Sequence, residues 1–262
     1  MTTPAGEIEL RRQGSGPPLV YLHSAVGEGE GLALLDDLAA GFDVVAPMFP
    51  GWGESEGIER IDDMEDAAFH LLDVWDGLGL EAPAVVGHSL GGWMAAELAV
   101  RYPNRVGALV LVNPVGLHIE GAPIKDVFGR TPAELAEDFF ADREHPMAQM
   151  MRMLSELRGS EVSFDIVRPL YQTMSSTARL AWDPYMHDPK LAQRLPRITA
   201  PTLVVRGARD TLVPAAHAEA YASAIPNARL VEVEGAAHLL ALERADELAR
   251  LVRDFLGVVE GA

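Results

Sequence analysis

The chain contains no cysteine, and that absence removes three chemistries at once: a disulfide-stapled scaffold, a thiolate nucleophile and a cysteine-ligated metal. It is also poor in positive charge. Lysine and arginine number 21 against 39 aspartates and glutamates, a formal net charge of −18, and no basic cluster interrupts that balance. Such a surface repels phosphate backbones and anionic lipid, so neither nucleic acid nor a membrane is expected as a partner. Acidity of this kind serves solubility more often than recognition. No apolar run approaches the length of a membrane span, and Met1 to Arg12 is polar and acidic rather than basic and then apolar, so no leader is read there. The expectation is a cytoplasmic protein, monomer or homodimer, whose partner is a small molecule.

What is present is ample core material: 262 residues, of which 48% are apolar, enough for one large α/β domain or two smaller ones. Short β-branched runs alternate with helical patterns, the signature of parallel strands joined by crossover helices. After an expected N-terminal hairpin ending at Gly14 to Pro18, the strands are Leu19 to Leu22, Phe42 to Ala46, Ala84 to Val86, Ala108 to Val112, Thr202 to Val205 and Leu230 to Val233. Helices are expected at about Gly31 to Ala40, Asp62 to Leu78, Leu90 to Tyr102, Pro214 to Ala224 and Ala245 to Leu256. In the last of these, Leu248, Leu251, Val252, Phe255 and Leu256 fall on one face. Asp62 with Glu65 has capping-box spacing.

Between Leu117 and Leu195 the strand signals vanish and helical segments follow one another, with Thr131, Pro132 and Glu134 marking one start. This reads as a helical insertion into the sheet domain. Met147, Met150, Met151, Met153, Met174 and Met186 fall within it, an adaptable apolar set that either faces a substrate or packs the insertion's own small core.

The chemistry is concentrated at Gly87-His88-Ser89-Leu90-Gly91, which follows a strand and opens a helix. A strand turning sharply into a helix strains the backbone at the serine, and flanking glycines allow the close approach that lifts the hydroxyl out of the turn. A serine hydroxyl is a weak nucleophile at neutral pH, so a base must take its proton and a third group must hold that base in the right tautomer. His238, in Gly235-Ala236-Ala237-His238, and Asp210, in Gly207-Ala208-Arg209-Asp210, each sit just beyond a strand. The order Ser, Asp, His suits a sheet that presents all three at its carboxyl edge.

With these stretches the chain resembles the α/β-hydrolase superfamily, and the resemblance covers nearly all of it. Matching segments include the Gly-His-Ser-Leu-Gly-Gly turn, the loop Pro50-Gly51-Trp52-Gly53-Glu54-Ser55, Pro201 to Gly207 leading to Asp210, Val213-Pro214 and Gly-Ala-Ala-His. The resemblance implies an α/β fold with a mostly parallel eight-stranded sheet: a core from residues 1–116 and 196–262, and a helical cap from 117–195. It assigns the triad to Ser89, Asp210 and His238. It also implies an oxyanion hole of two backbone amides, Leu90 and one from His23-Ser24-Ala25-Val26, where alignment selects Ala25 and Ser24 replaces the family's usual glycine. Losing one such donor costs about 3 kcal/mol of transition-state stabilisation. Met48 stands where similar proteins carry an aspartate, which implies a changed loop.

Other residues have competing readings. His23 and His88 are better explained by packing and backbone hydrogen bonds than by proton transfer. The remaining histidines lack metal-ligand spacing, so neither metal nor cofactor is expected. Asp183 and Asp188 precede prolines and suit turns. Asn113 ends a strand where some relatives carry the acid, a role an amide cannot fill. Ser24, Trp52, Trp93, Trp182 and Met150 are candidates for lining the substrate pocket, the tryptophans having an equal claim to the core.

Three functions follow. The first is hydrolysis of a carboxylic ester, lactone or thioester through an acyl-enzyme on Ser89. The second keeps the triad but cleaves a carbon–carbon bond in a diketone from aromatic degradation, and its mark would be Arg179 or Arg168 aimed at Ser89 to hold a carboxylate. The third is a binding protein on a hydrolase scaffold, disfavoured because all three triad positions carry competent residues. Aspartate would replace Ser89 in an epoxide or haloalkane hydrolase.

Overall fold

The computed structural model describes residues 1–29, 31–158 and 163–259. Its strands are β1 (Leu10–Gln13), β2 (Pro18–Leu22), β3 (Asp43–Pro47), β4 (Ala84–His88), β5 (Ala108–Val112), β6 (Thr202–Gly207) and β7 (Ala228–Val233). Its helices are α1 (Ala33–Leu38), α2 (Met64–Leu78), α3 (Leu90–Arg101), α4 (Pro132–Phe139), α5 (Pro146–Glu156), α6 (Phe164–Ala181), α7 (Leu191–Arg194), α8 (Ala215–Ala224), α9 (Leu240–Glu243) and α10 (Ala245–Val259). All six strands and all five helices read from the sequence are present.

The strands form one seven-stranded sheet in the order β1-β3-β2-β4-β5-β6-β7, parallel except for β1. The expected eighth strand is missing among the described residues because the chain before β1 folds on itself. Thr2 bridges Glu7 there, and Thr3 and Gly6 exchange backbone hydrogen bonds. The expected N-terminal hairpin does not form either. β2 is flanked on both sides by parallel partners, β3 and β4, so β1 crosses over and pairs antiparallel with the far edge of β3.

Alternation along the strands divides the core in two. Val20, Leu22, Val45, Val85, Leu109, Leu111 and Val204 face one layer with α2, α3 and α8. Their neighbours Leu19, Tyr21, Val44, Val86, Val110, Val112, Leu203 and Val205 face the other, with α1, α9 and α10. Because both faces are covered, the strands are continuous apolar runs, as parallel strands require. In α10 the periodic residues Leu248, Val252, Phe255 and Leu256 are buried.

Helix starts follow their caps. At α4 the capping box of Thr131 and Glu134 is complete. At α2 the cap lies one residue later than the sequence suggested: Asp63 accepts from the amides of Glu65 and Asp66, and Asp66 accepts in turn from the amide of Asp62. That register buries Met64, Ala67, Ala68 and Leu71, so packing selects between two adjacent aspartates that cap equally well. Between β5 and β6 the chain makes α4, α5, α6 and α7, and no strand among the described residues.

One core residue carries a liability. His70 on α2 is 3% exposed, packs edge-on against Phe49 at 5.2 Å, and neither ring nitrogen has a hydrogen-bond partner among the described residues. Burial alone holds its pKa down to about 4. The unfolded chain, with an ordinary value near 6.5, therefore takes up this proton first, and stability falls as pH drops from about 6.5 to about 4. The loss attributable to His70 is up to about 3 kcal/mol. Thermal unfolding of His70→Phe across that range is expected to show a shallower acid decline than the native protein; parallel curves would remove His70 as its source.

Candidate active site

Parallel strands deliver their carboxyl ends to one edge, and four of the loops that follow them meet there. Ser89 closes β4 and opens α3 with φ 52° and ψ −109°, a strained conformation for a residue with a side chain. The turn is this tight because a Cβ on Gly87 would fall on the carbonyl of Gly91, and one on Gly91 on the carbonyl of Leu22. His238 follows β7 and Asp210 follows β6. Ser89 Oγ lies 2.8 Å from His238 Nε2, and His238 Nδ1 lies 2.8 Å from Asp210 Oδ2. All three residues are buried.

The hydrogen-bond roles follow from the carboxylate, which only accepts. Nδ1 carries the proton toward Asp210, leaving the Nε2 lone pair toward the serine hydroxyl. The other carboxylate oxygen of Asp210 accepts from the amides of Leu212 and Val213, each at 2.9 Å, so the acid is held from both ends. Asn113 is buried at the end of β5 with φ 42°. Its amide nitrogen donates to the carbonyls of Ala237 at 3.0 Å and His238 at 2.7 Å, and its oxygen accepts from the amide of Gly207 at 2.9 Å. It therefore ties the loops carrying Asp210 and His238 together.

The loop after β2 is pinned almost everywhere. The amide of Ser24 donates to Glu28 at 2.9 Å, that of Val26 to Ser24 Oγ at 3.2 Å and that of Gly27 to the carbonyl of Ser24 at 3.0 Å. The Ala25 carbonyl accepts from the Trp52 indole at 2.9 Å. Among the described residues the amides of Ala25 and Leu90 have no acceptor, and both residues border the same cavity as Ser89.

That cavity measures about 230 Å³. Val127, Leu135 and Phe139 wall it from α4 and the segment before it, Met151 from α5, and Leu170 and Met174 from α6. Among the described lining residues none is a lysine, arginine, aspartate or glutamate. The segment between β5 and β6 thus supplies mostly carbon and sulfur, with the hydroxyls of Thr173 and Thr177 on α6, while the sheet edge supplies the other polar groups.

Four of the five candidate lining residues lie elsewhere. Trp52 is 1% exposed and spends its indole on the Ala25 carbonyl. Trp93 is buried, donating to Glu97 at 3.0 Å, and borders a separate cleft with Arg101 and Arg179. Trp182 is 62% exposed with its ring on Phe128 at 5.2 Å. Met150 faces outward and its neighbour Met151 faces in, because a one-residue step on a helix turns the side chain by about 100°. Ser24 does border the cavity, but its hydroxyl is committed to Glu28 at 2.5 Å.

His23 is neutral, its Nδ1 donating to the Ser24 carbonyl and its Nε2 accepting from the Phe49 amide; burial lowers its pKa. His88 does more than pack, since it pairs with Glu28. Met48 leaves its loop closed by another route, its carbonyl accepting from the Ser55 hydroxyl at 2.8 Å. Arg179 is bound to Asp62 and to the Ile61 carbonyl, and Arg168 borders an outer groove; neither lines the Ser89 cavity. No cluster that could hold a metal occurs among the described residues, and none of their helices is long and apolar enough to cross a membrane. Glu28 and Phe139 escaped the sequence reading, whereas Met151 and Met174 were read only within the methionine set that either faces a substrate or packs the insertion's own core.

A family model described as alpha/beta hydrolase fold matches residues 17–245. The chain belongs to this family. Members similar in sequence include a 2-hydroxymuconate semialdehyde hydrolase of Pseudomonas putida, 32% identical over 94% of this chain and 89% of that one. Another is the dihydrolipoyllysine-residue acetyltransferase component of an acetoin cleaving system from Cupriavidus necator, 31% identical over 94% of this chain. The chain spans only 65% of that protein's length, and 12% of a matching polyketide synthase. Among solved structures, a meta-cleavage product hydrolase (CumD) superposes with a TM-score of 0.78 at 22% identity, covering 98% of this chain and 97% of that one.

Asn113→Asp tests the tie between the two loops. A carboxylate would face two carbonyls it cannot donate to in a buried site, at a cost of about 3 kcal/mol. Calorimetry at pH 7.5 is expected to show a Tm lower by about 8 °C; an unchanged Tm would mean that the amide holds nothing.

Proposed function

We propose that the protein hydrolyses an apolar carbonyl compound through Ser89. The observation that carries this reading is the unbroken Asp210–His238–Ser89 hydrogen-bond chain opening into an apolar cavity beside two amides without acceptors. Ser89 Oγ attacks the carbonyl carbon while His238 Nε2 takes its proton. The amides of Ala25 and Leu90 hold the resulting oxyanion, and Asp210 stabilises the imidazolium. Collapse breaks the bond to the leaving group, which receives the proton from His238. Water, deprotonated by the same nitrogen, attacks the acyl-enzyme; the acid leaves and Ser89 regains its proton. Residues 117–195 act as the cap, excluding bulk water and contacting the apolar part of the substrate.

Two bonds are open to this attack. A neutral ester or lactone is the substrate that the geometry supports best, because among the described residues no lysine or arginine lines the cavity, and an unpaired carboxylate there would stay desolvated. The second reading, cleavage of a carbon–carbon bond in a diketone, rests on the relatives: the Pseudomonas hydrolase at 32% identity is named for a muconate semialdehyde. In that case the leaving group is a carbanion equivalent protonated on carbon.

Nitrophenyl esters of increasing chain length, a neutral lactone and a meta-cleavage diketone, each assayed with the native protein and with Ser89→Ala, decide between them. Ester or lactone turnover that falls by about four orders of magnitude in the variant supports the first reading. A kcat/KM for the diketone about 100-fold above that for the best ester would replace it with the second. Turnover that survives the substitution would remove Ser89 as the nucleophile and, with it, both readings.

A further inference from the structure

Behind Ser89, away from the cavity, lies a buried carboxylate with four donors. Glu28 is 8% exposed. Its Oε1 accepts from the Tyr21 hydroxyl at 2.7 Å, the Ser24 amide at 2.9 Å and His88 Nδ1 at 2.7 Å, and its Oε2 accepts from the Ser24 hydroxyl at 2.5 Å. His88 has no exposed surface, and its Nε2 lies 2.9 Å from the carbonyl of His238. Both ring nitrogens of His88 therefore face atoms that only accept, so both carry protons and the ring is an imidazolium. A glutamine could turn its amide nitrogen to the Ser24 hydroxyl, which also accepts, but it would leave the His88 imidazolium without a counter-charge.

These bonds reach both halves of the proposed machinery. Through Ser24 they fix the loop that presents the Ala25 N–H, which has no acceptor among the described residues, beside the Ser89 cavity, and through His88 they fix the backbone of His238. We propose that the Glu28–His88 ion pair is a positioning device that aims the Ala25 amide at the oxyanion and holds the His238 backbone in line with Ser89. The proposal rests on the Ser89 reading above, which assigns the Ala25 amide its role.

The groups facing the pair come from four elements. Tyr21 on β2 stays neutral, burial and the Glu28 charge both raising its pKa well above the usual value. His23 beyond β2 is neutral. Asp210 beyond β6 adds attraction for the His88 charge, and the loop beyond β7 contributes the His238 carbonyl and ring, 5.9 Å from that of His88. Burial opposes both charges of the pair, and mutual attraction outweighs it: Glu28 is held at about 2 and His88 is raised. For Glu28, the stabilisation is present above its ordinary value and lost as pH falls through about 2. For His88, it is present below the ordinary value and lost as pH rises through the raised one.

Two measurements test the proposal, and only the second depends on turnover. Ring nitrogen NMR of histidine-labelled protein, assigned with His88→Gln, is expected to show His88 doubly protonated at pH 7.5, in the native chain and in Ser89→Ala alike. A neutral His88 at that pH would overturn the proposal even if Ser89 proves to be the nucleophile. Ser24→Ala removes the bridge from Glu28 to the Val26 amide while keeping the ion pair. It is expected to lower kcat about tenfold with KM changed by less than about twofold. Affinity for a trifluoromethyl ketone, whose adduct on Ser89 carries the oxyanion, should fall by the same factor, with affinity for the product acid unchanged. Ser24→Thr, which restores the hydroxyl, is expected to recover both. A purely structural Ser24 would lower Tm without moving kcat, and a substrate-binding one would raise KM; either result overturns the proposal. Glu28→Gln is expected to lose more than about 100-fold in kcat. Should it fail to fold, the two Ser24 variants still decide.

Discussion

A strand inside a parallel sheet is fixed by hydrogen bonds along both edges, and β4 is the strand on which this constraint bears most. Residues 84–87 pair with β2 on one side, and residues 84–88 with β5 on the other, so the end of β4 cannot move without breaking two ladders. The strained φ of Ser89 is affordable only on such an anchor, because a freer segment would relax it. The neighbours inherit the placement: β2 ends beside β4 and delivers the Ser24 loop, while β6 and β7 deliver Asp210 and His238. Parallelism is what brings four loops to one edge; an antiparallel neighbour would have sent its loop to the opposite end of the sheet.

Bringing loops together is insufficient to order them, since buried loops carry backbone groups that must find partners away from water. Two side chains meet part of that demand. Asn113 satisfies two carbonyls and one amide from the loops on its side of the edge. Glu28 satisfies an amide, two hydroxyls and an imidazole on the other. Their chemistry differs for a reason: Asn113 donates twice and accepts once, which suits an amide, whereas Glu28 gathers four donors, one of them the imidazolium of His88, which suits a charged carboxylate. The two systems meet at the carbonyl of His238, which accepts from Asn113 and from His88. The backbone of the proposed base is therefore doubly held while its imidazole remains free to pass a proton.

The sequence announced the elements bound to rigid strands and was silent on those set by side-chain satisfaction. Gly87, Gly91 and Ser89 were readable because a tight strand–helix turn admits few residues, and Asp210 and His238 because each follows an apolar run of unmistakable strand composition. Asn113 could be excluded as an acid, but its structural role could not be read, since the carbonyls it bonds lie 124 and 125 residues away. Glu28 was unreadable for the same reason: its His88 partner is 60 residues distant. The tryptophans misled because composition alone does not separate an aromatic that borders a cavity from one that supports the loop behind it. Trp52 contacts the site through the Ala25 carbonyl rather than through the cavity. Met150 and Met151 differ only in helical phase, which the irregular methionine pattern of α5 left undefined.

The division between a polar sheet edge and an apolar roof limits how selective the cavity can be. Among the described residues no lysine, arginine, aspartate or glutamate lines the cavity, so beyond the polar groups at the sheet edge a bound molecule meets mainly packing, the hydroxyls of Thr173 and Thr177 being the exceptions on the roof side. Packing discriminates weakly: a methylene more or less in an apolar pocket changes transition-state binding by about 1 to 3 kcal/mol. Rejection of an analogue by several orders of magnitude requires a buried polar group that it would leave unpaired, and on the roof side the cavity offers little of that kind. Thr177 donates its hydroxyl to the backbone of Thr173, leaving Met151, Met174 and Met186 to adapt their unbranched chains to whatever apolar shape enters. Under the reading proposed above, the site is strict about the carbonyl it attacks and more permissive about the apolar chain attached to it.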